Sequence, residues 1–320
     1  MNMNFKPLKI VFAGTPYFAS YHLKKLISSE HKIVHVITQP DKPYGRGRKI
    51  QESPVKTLAK KYNIPVSQPK NINKKKNCIE LFKIKADIII VVAYGMLIPD
   101  LLLQIFPMGG INIHASLLPK WRGASPIQWT ILHGDKYTGI SIIKINNKMD
   151  SGNILHQVKC KVEKLETTSS LIIKLCKIGI KAILYALKKI QNKKYKSLKQ
   201  NEMEATYTKK INKKMGEINF LIPANKIERM VRAFYPWPSV YINFYNTNIK
   251  IHKVKVIKSD IEYPIGKIIS INIHGIQIQT KKNIIKIEKI QLPGKNIINV
   301  SQWIQSKNNI IEKIKSKKSL

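Results

Sequence analysis

Asp87-Ile88-Ile89-Ile90-Val91-Val92-Ala93 is apolar at every position after the first. An unbroken apolar run of this length is the pattern of a parallel strand buried on both faces. Upstream, Leu8 to Gly14 and Lys32 to Thr38 read as two more strands. Between them Phe18, Ala19, His22, Leu23, Leu26 and Ile27 recur at helical spacing. Thr15 and Pro16 stand where an N-cap and a first helical residue belong, and Ser53-Pro54 repeats that signal before Val55, Leu58 and Ala59. Ile64-Pro65-Val66 is short enough to be a minor strand. Downstream come a helix from Pro99 to Ile105, a strand ending at His114 and a helix from Pro126 to His133. Strands over Gly139 to Ile145 and Asn153 to Val162 follow, then an amphipathic helix from Thr167 to Ile190. Strand alternating with helix predicts an α/β fold built on a doubly wound, mostly parallel sheet.

The strand ending at His114 continues as Ile111-Asn112-Ile113-His114-Ala115-Ser116-Leu117-Leu118-Pro119. Successive side chains of a strand face opposite ways, so Asn112 and His114 share one face and Ile111 and Ile113 the other. An amide and an imidazole therefore emerge side by side near the carboxyl end of a strand, where open α/β sheets bind their ligands. Taken alone, an Asn-x-His pair is more often just two hydrogen-bonded groups at a strand terminus, and it is the Ser-Leu-Leu-Pro-Lys-Trp-Arg-Gly that follows which shifts the balance.

The chain has 320 residues, enough for two domains that each bury a core. It is 43% hydrophobic, which excludes a disordered chain, and 57 basic against 18 acidic residues leave a formal charge of +39. Such an excess suits a polyanionic partner, nucleic acid first and an anionic membrane second. Lysine, isoleucine and asparagine abound even at unremarkable positions, so coding bias is the rival explanation of the charge, and the two are compatible. Cys78, Cys160 and Cys176 lie too far apart for zinc-ligand spacing or a disulfide framework. Met1 to Pro7 lacks the apolar core of a signal peptide, and Ile88 to Tyr94 is too short to cross a bilayer. A cytoplasmic, monomeric protein that neither enters a membrane nor holds a metal is the expectation.

Gln39 to Ile50 (QPDKPYGRGRKI) is long for a connection between strand and helix, and it carries Lys42, Arg46, Arg48 and Lys49 around Tyr44. Gly45-x-Gly47 lacks the third glycine and the preceding strand of a dinucleotide fingerprint. A basic, glycine-softened loop with an aromatic residue suits a phosphate backbone, a solvated surface loop being the alternative. After Lys188 the composition shifts to lysines with few long apolar residues, and residues 191–208 read as a basic interdomain linker. Beyond it a short helix over Ala224 to Phe234 and Tyr235-Pro236-Trp237-Pro238 precede five short alternating strands. These are Val240 to Tyr245, Ile249 to Ile257, Gly266 to Ile273, Ile276 to Thr280 and Ile284 to Leu292, which suggest a small barrel. Trp237 and Trp303 are expected to pack. The histidines other than His114 show no paired spacing and read as structural or exposed.

These stretches, in order and over the whole length, resemble the methionyl-tRNA formyltransferase family. The matching residues are Phe12-Ala13-Gly14-Thr15-Pro16, Gln39-Pro40-Asp41-Lys42-Pro43, Gly45-Arg46-Gly47, Val92-Ala93-Tyr94-Gly95, Ile113 to Pro119, Trp121 to Gln128, Asp150-Ser151-Gly152 and Phe234 to Pro238. Ala115 departs from the pattern, where glycine is frequent. The resemblance implies a Rossmann-like formyl-transfer domain over residues 1–190 and a tRNA-binding β-barrel of oligonucleotide-binding (OB) type over 209–320. It implies that Asn112, His114 and Asp150 act together as catalytic residues, that Ser116, Leu117, Leu118 and Pro119 bind tetrahydrofolate, and that the Arg46 loop reaches the tRNA acceptor end. The implied formyl donor is 10-formyltetrahydrofolate and the implied acceptor is initiator methionyl-tRNA, with N-formylmethionyl-tRNA and tetrahydrofolate as products.

The residue types fit that chemistry. Transfer of a formyl group to an amine builds negative charge on the formyl oxygen, and donors aimed at that charge are the most valuable catalytic feature. Asn112 offers an amide N–H, a protonated His114 a charged one, and Asp150 would favour the charged ring. His114 could also carry the proton from amine to leaving nitrogen. Lys42, Arg46, Arg48, Lys209 and Lys210 are the residues expected to meet tRNA phosphates. The same triad would serve a formyltransferase acting on an amino sugar nucleotide or on glycinamide ribonucleotide, and the basic loop and barrel argue against those. A noncatalytic RNA-binding protein would have no use for the triad.

Overall fold

The computed structural model describes residues 6–44, 47, 49–74, 79–192, 196–244 and 247–306. Arg46, Arg48 and Cys78 lie outside the described residues. The chain divides into two compact units. The first comprises Met1–Pro126, Tyr137–Lys161 and Ile172–Lys209; the second comprises Ile127–Lys136, Val162–Leu171 and Lys210–Leu320.

The first unit begins with β1 (Lys9–Gly14), α1 (Tyr17–Ile27), β2 (Lys32–Ile37), β3 (Lys42–Tyr44), β4 (Lys49–Gln51), α2 (Pro54–Lys61) and β5 (Val66–Ser67). It continues through α3 (Ile79–Phe82), β6 (Ile88–Val92), α4 (Asp100–Leu103), β7 (Gly110–His114) and β8 (Arg122–Gly123). Next in the chain is the helix α5 (Pro126–His133), which after Pro126 belongs to the second unit. β9 (Tyr137–Lys144) and β10 (Ile154–Lys161) return to the first, α6 (Thr168–Gln191) belongs to it from Ile172 on, and β11 (Tyr207–Thr208) closes it. The main sheet has seven strands in the order β10-β9-β7-β6-β1-β2-β5. Pairings from β7 through β6, β1 and β2 to β5 are parallel, and β9 and β10 add antiparallel strands beyond β7. The apolar run of β6 is buried at all five positions, as a strand covered on both faces must be. The order reverses at β1, and there the Thr15 hydroxyl bonds the Tyr94 carbonyl at 3.0 Å.

That bond corrects one expectation. Thr15 does not cap α1; Pro16 occupies the N-cap without a side-chain bond, because the Thr15 hydroxyl is spent on the neighbouring strand end. Ser53 does cap α2, accepting from the Lys56 amide at 3.0 Å with Pro54 at the first helical position. The connection from Gln39 to Ile50 is not structureless either. Its flanks pair as the antiparallel ribbon β3–β4, whose base is held by Asp41, Lys56 and Gln68. The helix expected over Pro99 to Ile105 shrinks to the four residues of α4.

The second unit adds α7 (Ala224–Ala233), β12 (Val240–Phe244), β13 (Thr247–Ile257), β14 (Ile268–Asn272), β15 (Gly275–Gln279), β16 (Ile284–Gln291), β17 (Ile297–Asn299) and α8 (Val300–Gln305). Its strands pair in the order β12-β13-β16-β15-β14, all antiparallel, with β17 on β16. No pairing of β12 with β14 closes this path among the described residues, so the barrel expectation is met only as a series of antiparallel strands. Trp303 packs as expected, at 2% exposure. Trp237 does not: it is 52% exposed, because Phe234 at 1% takes the core position of that stretch. No helix among the described residues is long and apolar enough to cross a membrane.

His22 shows how tightly α1 and α6 meet. It is fully buried, its Nδ1 bonds the Phe18 carbonyl at 2.7 Å, and a side chain at Gly179 would collide with its Nε2. A carbonyl only accepts, so the proton sits on Nδ1 and Nε2 is left as a buried lone pair without a partner. Burial lowers the pKa of this ring to about 4. Between pH 6.5 and 4 the unfolded chain binds a proton that the folded chain refuses, so stability falls as pH falls through that window. The loss attributable to His22 is about 3 kcal/mol. Denaturant titrations at pH 7 and pH 4.5 should show His22→Leu losing markedly less stability on acidification than the native chain; equal losses would contradict this.

Candidate functional site

The site is assembled on one face of β7. Alternation puts Asn112 and His114 on that face, and both reach the same carboxylate. Asn112 Nδ2 donates to Asp150 Oδ1 at 3.1 Å, and His114 Nδ1 stands 3.4 Å from Asp150 Oδ2. The Gly123 amide donates to Oδ2 at 2.7 Å. The three residues expected to act together are thus brought together.

The route by which Asp150 arrives is less direct than a strand end. β9 runs antiparallel to β7, with Lys144 opposite Ile111 and Ser141 opposite His114. The turn after β9 therefore starts at the amino end of β7. It must fold back about 10 Å, three residues of strand rise, to place a carboxylate beside His114. Asp150 does so in a left-handed conformation, φ 51°, which aspartate tolerates better than most residues. Gly152 lies against the Lys144 carbonyl so closely that a Cβ would overlap it.

Trp121, also left-handed at φ 64°, turns its carbonyl to His114 Nε2 at 2.9 Å. That bond fixes the Nε2 proton, since the carbonyl has none to give. Both ring nitrogens are therefore engaged, and Nδ1, beside the carboxylate, is the one left to gain or lose a proton. The ring is 5% exposed, yet polar groups meet it at both nitrogens.

Ser116 to Pro119 follows β7 after the single residue Ala115. Leu118 N donates to Ser141 Oγ at 3.0 Å, Ser141 Oγ donates to the Ser116 carbonyl at 2.7 Å, and Gln157 Nε2 donates to the Leu118 carbonyl at 2.9 Å. Ser116 and Leu118 are buried, whereas Leu117 and Pro119 keep part of their surface open. Ser141 and Gln157 were not anticipated; they are polar residues on β9 and β10 whose neighbours reveal them only once the sheet is paired. Of the expected phosphate-binding residues, Lys42 is exposed and bonds Gln39 Oε1 at 2.7 Å. Lys209 and Lys210 are exposed at the end of the first unit and the start of the second. Arg46 and Arg48 lie outside the described residues.

Residues 196–208, read as linker, carry an element of the site. Gln200 is 4% exposed and donates through Nε2 to the carbonyls of Asp150 and Gly152 at 2.7 and 2.8 Å. β11 pairs in parallel with β8, Tyr207 opposite Arg122. Lysine-rich composition around Gln200 hid it: its described neighbours Lys196 and Lys199 are exposed, and the buried residue is itself polar.

A family model described as formyl transferase matches residues 8–187, and one described as formyl transferase, C-terminal domain, matches residues 210–308. The methionyl-tRNA formyltransferase of Buchnera aphidicola subsp. Acyrthosiphon pisum (strain Tuc7) is 49% identical over 308 residues, covering 96% of this chain and 98% of that protein. Its counterpart from Buchnera aphidicola subsp. Schizaphis graminum (strain Sg) is 48% identical over 305 residues, 95% of this chain and 97% of that protein. Among solved structures, the sugar 3N-formyl transferase WlaRD, crystallised in the presence of dTDP and 5-N-formyl-THF, has a TM-score of 0.64 at 22% identity, over 90% of this chain and 99% of that one. HypX from Aquifex aeolicus in complex with tetrahydrofolic acid has a TM-score of 0.61 at 14% identity, over 93% of this chain and 47% of that one. At these identities the two structures speak for the fold.

Nitrogen-resolved NMR of the histidine side chains should find the His114 proton on Nε2, held by the Trp121 carbonyl. A bare Nε2 with the proton on Nδ1 alone would contradict the arrangement.

Proposed function

We infer that the chain, which belongs to the formyl transferase family, moves the formyl group of 10-formyltetrahydrofolate onto the α-amino group of methionyl-initiator-tRNA, the step that readies this tRNA for translation initiation. The observation that carries this is the convergence of Asn112, His114 and the Gly123 amide on the Asp150 carboxylate, in a chain 49% identical to a methionyl-tRNA formyltransferase over nearly its full length.

In the reaction the amine forms a bond to the formyl carbon, the bond from that carbon to the folate nitrogen breaks, and one proton passes from the amine to that nitrogen. Charge gathers on the formyl oxygen in between, and a preorganised donor there lowers the barrier. Asn112 spends one amide hydrogen on Asp150 and keeps another for that oxygen. His114, with its Nε2–H committed to Trp121, serves through Nδ1 as the carrier of the proton, and Asp150 balances the charge the ring then bears. The expectation of a charged N–H from His114 aimed at the oxygen is replaced by this role.

Ser116, Leu117, Leu118 and Pro119 would hold the folate. Their fit rests on a backbone already fixed by Ser141 and Gln157, with the open surfaces of Leu117 and Pro119 available to an apolar ring. Lys42, Arg46, Arg48, Lys209 and Lys210 are assigned to tRNA phosphates, in keeping with the +39 charge. The domain division is part of the same reading: formyl transfer over residues 1–190, a basic connector over 191–208, and an OB-type tRNA-binding domain from 209. Alternating burial along β13 and β16 supports the last. The chain is read as a cytoplasmic monomer.

Purified protein given 10-formyltetrahydrofolate and charged initiator tRNA should yield N-formylmethionine on the tRNA; no product from the native chain would overturn the reading. His114→Ala should slow single turnover by about 100-fold or more with circular dichroism unchanged. Arg46→Ala should raise KM for the tRNA by about tenfold and leave KM for the folate alone, and kcat/KM for the tRNA should drop as salt rises. An unaltered KM for the tRNA would remove the loop from the mechanism.

A further inference from the structure

We propose that Gln200, locked in one orientation by Arg122 and Glu202, is a positioning residue that sets Asp150 against Asn112 and His114. The proposal rests on the formyl-transfer reading and adds to it a group that never meets substrate.

Arg122 is 1% exposed, and a buried guanidinium must find partners for all of its N–H groups. It has five, and the structure supplies five bonds. Nε and Nη2 donate to Gln200 Oε1 at 3.0 and 2.9 Å, Nη2 and Nη1 grip the two Glu202 oxygens at 2.8 and 2.9 Å, and Nη1 donates to the Tyr207 hydroxyl at 3.1 Å. The hydrogen bonds from Arg122 hold the Glu202 carboxyl below the usual range, so Glu202 stays charged and keeps its grip.

The consequence falls on Gln200. With two guanidinium N–H groups on its oxygen, the amide cannot flip, because a flipped NH2 would face like donors. Its two N–H groups are therefore aimed the other way, at the Asp150 and Gly152 carbonyls. Those carbonyls belong to the closing residues of the turn that folds back along β7. Asp150 sits in a left-handed conformation there, and Gly152 rests on the Lys144 backbone, so the turn depends on being held from outside. The amide uses all four of its hydrogen-bonding positions, and each one either fixes its orientation or fixes the turn.

Gln200→Glu separates this role from plain stability. It keeps the side-chain shape and the Arg122 partner but sets a carboxylate oxygen against two carbonyl oxygens. Its kcat for formyl transfer should fall about tenfold or more, with KM for folate and for tRNA each within about twofold of native. If Gln200 acts through Asp150, adding Gln200→Glu to Asp150→Ala should change the rate by less than about twofold, since the step it supports is already gone. Glu202→Gln, which leaves the Gln200 donors in place, should cost far less. Gln200→Ala, followed by thermal melting, is the companion that adds no charge. Native kcat in Gln200→Glu, or a loss that multiplies with that of Asp150→Ala, would overturn the assignment. So would loss of folding in both Gln200 variants, which would make the residue a stability element. A native enzyme that makes no formylated product would sink the formyl-transfer reading instead.

Discussion

One carboxylate, reached from three directions, is the constraint on which the first unit is built. The Asp150 side chain accepts from Asn112 and from the Gly123 backbone and faces the His114 ring. Asn112 and His114 come from β7, Gly123 from β8, and the carboxylate itself from the turn after β9. None of them can move alone, because His114 is tied to Trp121, Gly123 to the β8–β11 pairing, and the turn to Gln200. A catalytic group held by several fixed neighbours arrives at the reaction already oriented and does not reorganise during it.

Scarce acidic residues are used in the same way across the molecule. Asp41 pairs with Lys56 and Gln68 at the foot of the basic hairpin, and Glu52 with Lys56 and Lys60 beside it. Glu202 clamps Arg122, Glu228 clamps Arg232, and Glu288 gathers Lys253, Lys255 and Lys286. Exposed pairs of this kind contribute little stability each. Their effect is positional: they fix a few cations, a small share of the basic residues in a chain whose formal charge of +39 suits a polyanion.

Much of the fold was legible because strands and helices carry their own periods. The buried run of β6, the spacing in α1 and α6 and the Ser53-Pro54 cap each stated their element locally. Asn112 and His114 were legible for the same reason, since a period of two puts them on one face. Asp150 was not legible from residues alone: an aspartate in a turn ordinarily bonds its own backbone, and only the resemblance to a family singled it out. Thr15 looked like a cap because its partner, the Tyr94 carbonyl, is 79 residues away. The β3–β4 ribbon, three residues a side with a proline in it, falls below what periodicity can detect. Gln200 and Arg122 show the limit most clearly. One sat among lysines and the other inside a quoted motif without a role, and their meaning is a tertiary contact across 78 residues.

The central claim is that Asn112 and Asp150 act as one unit, and single-turnover formyl transfer by Asn112→Ala, Asp150→Ala and the double variant tests it most directly. The account predicts that the double variant is scarcely slower than the worse of the two single variants. Rate losses that multiply, as they do for independent sites, would contradict it.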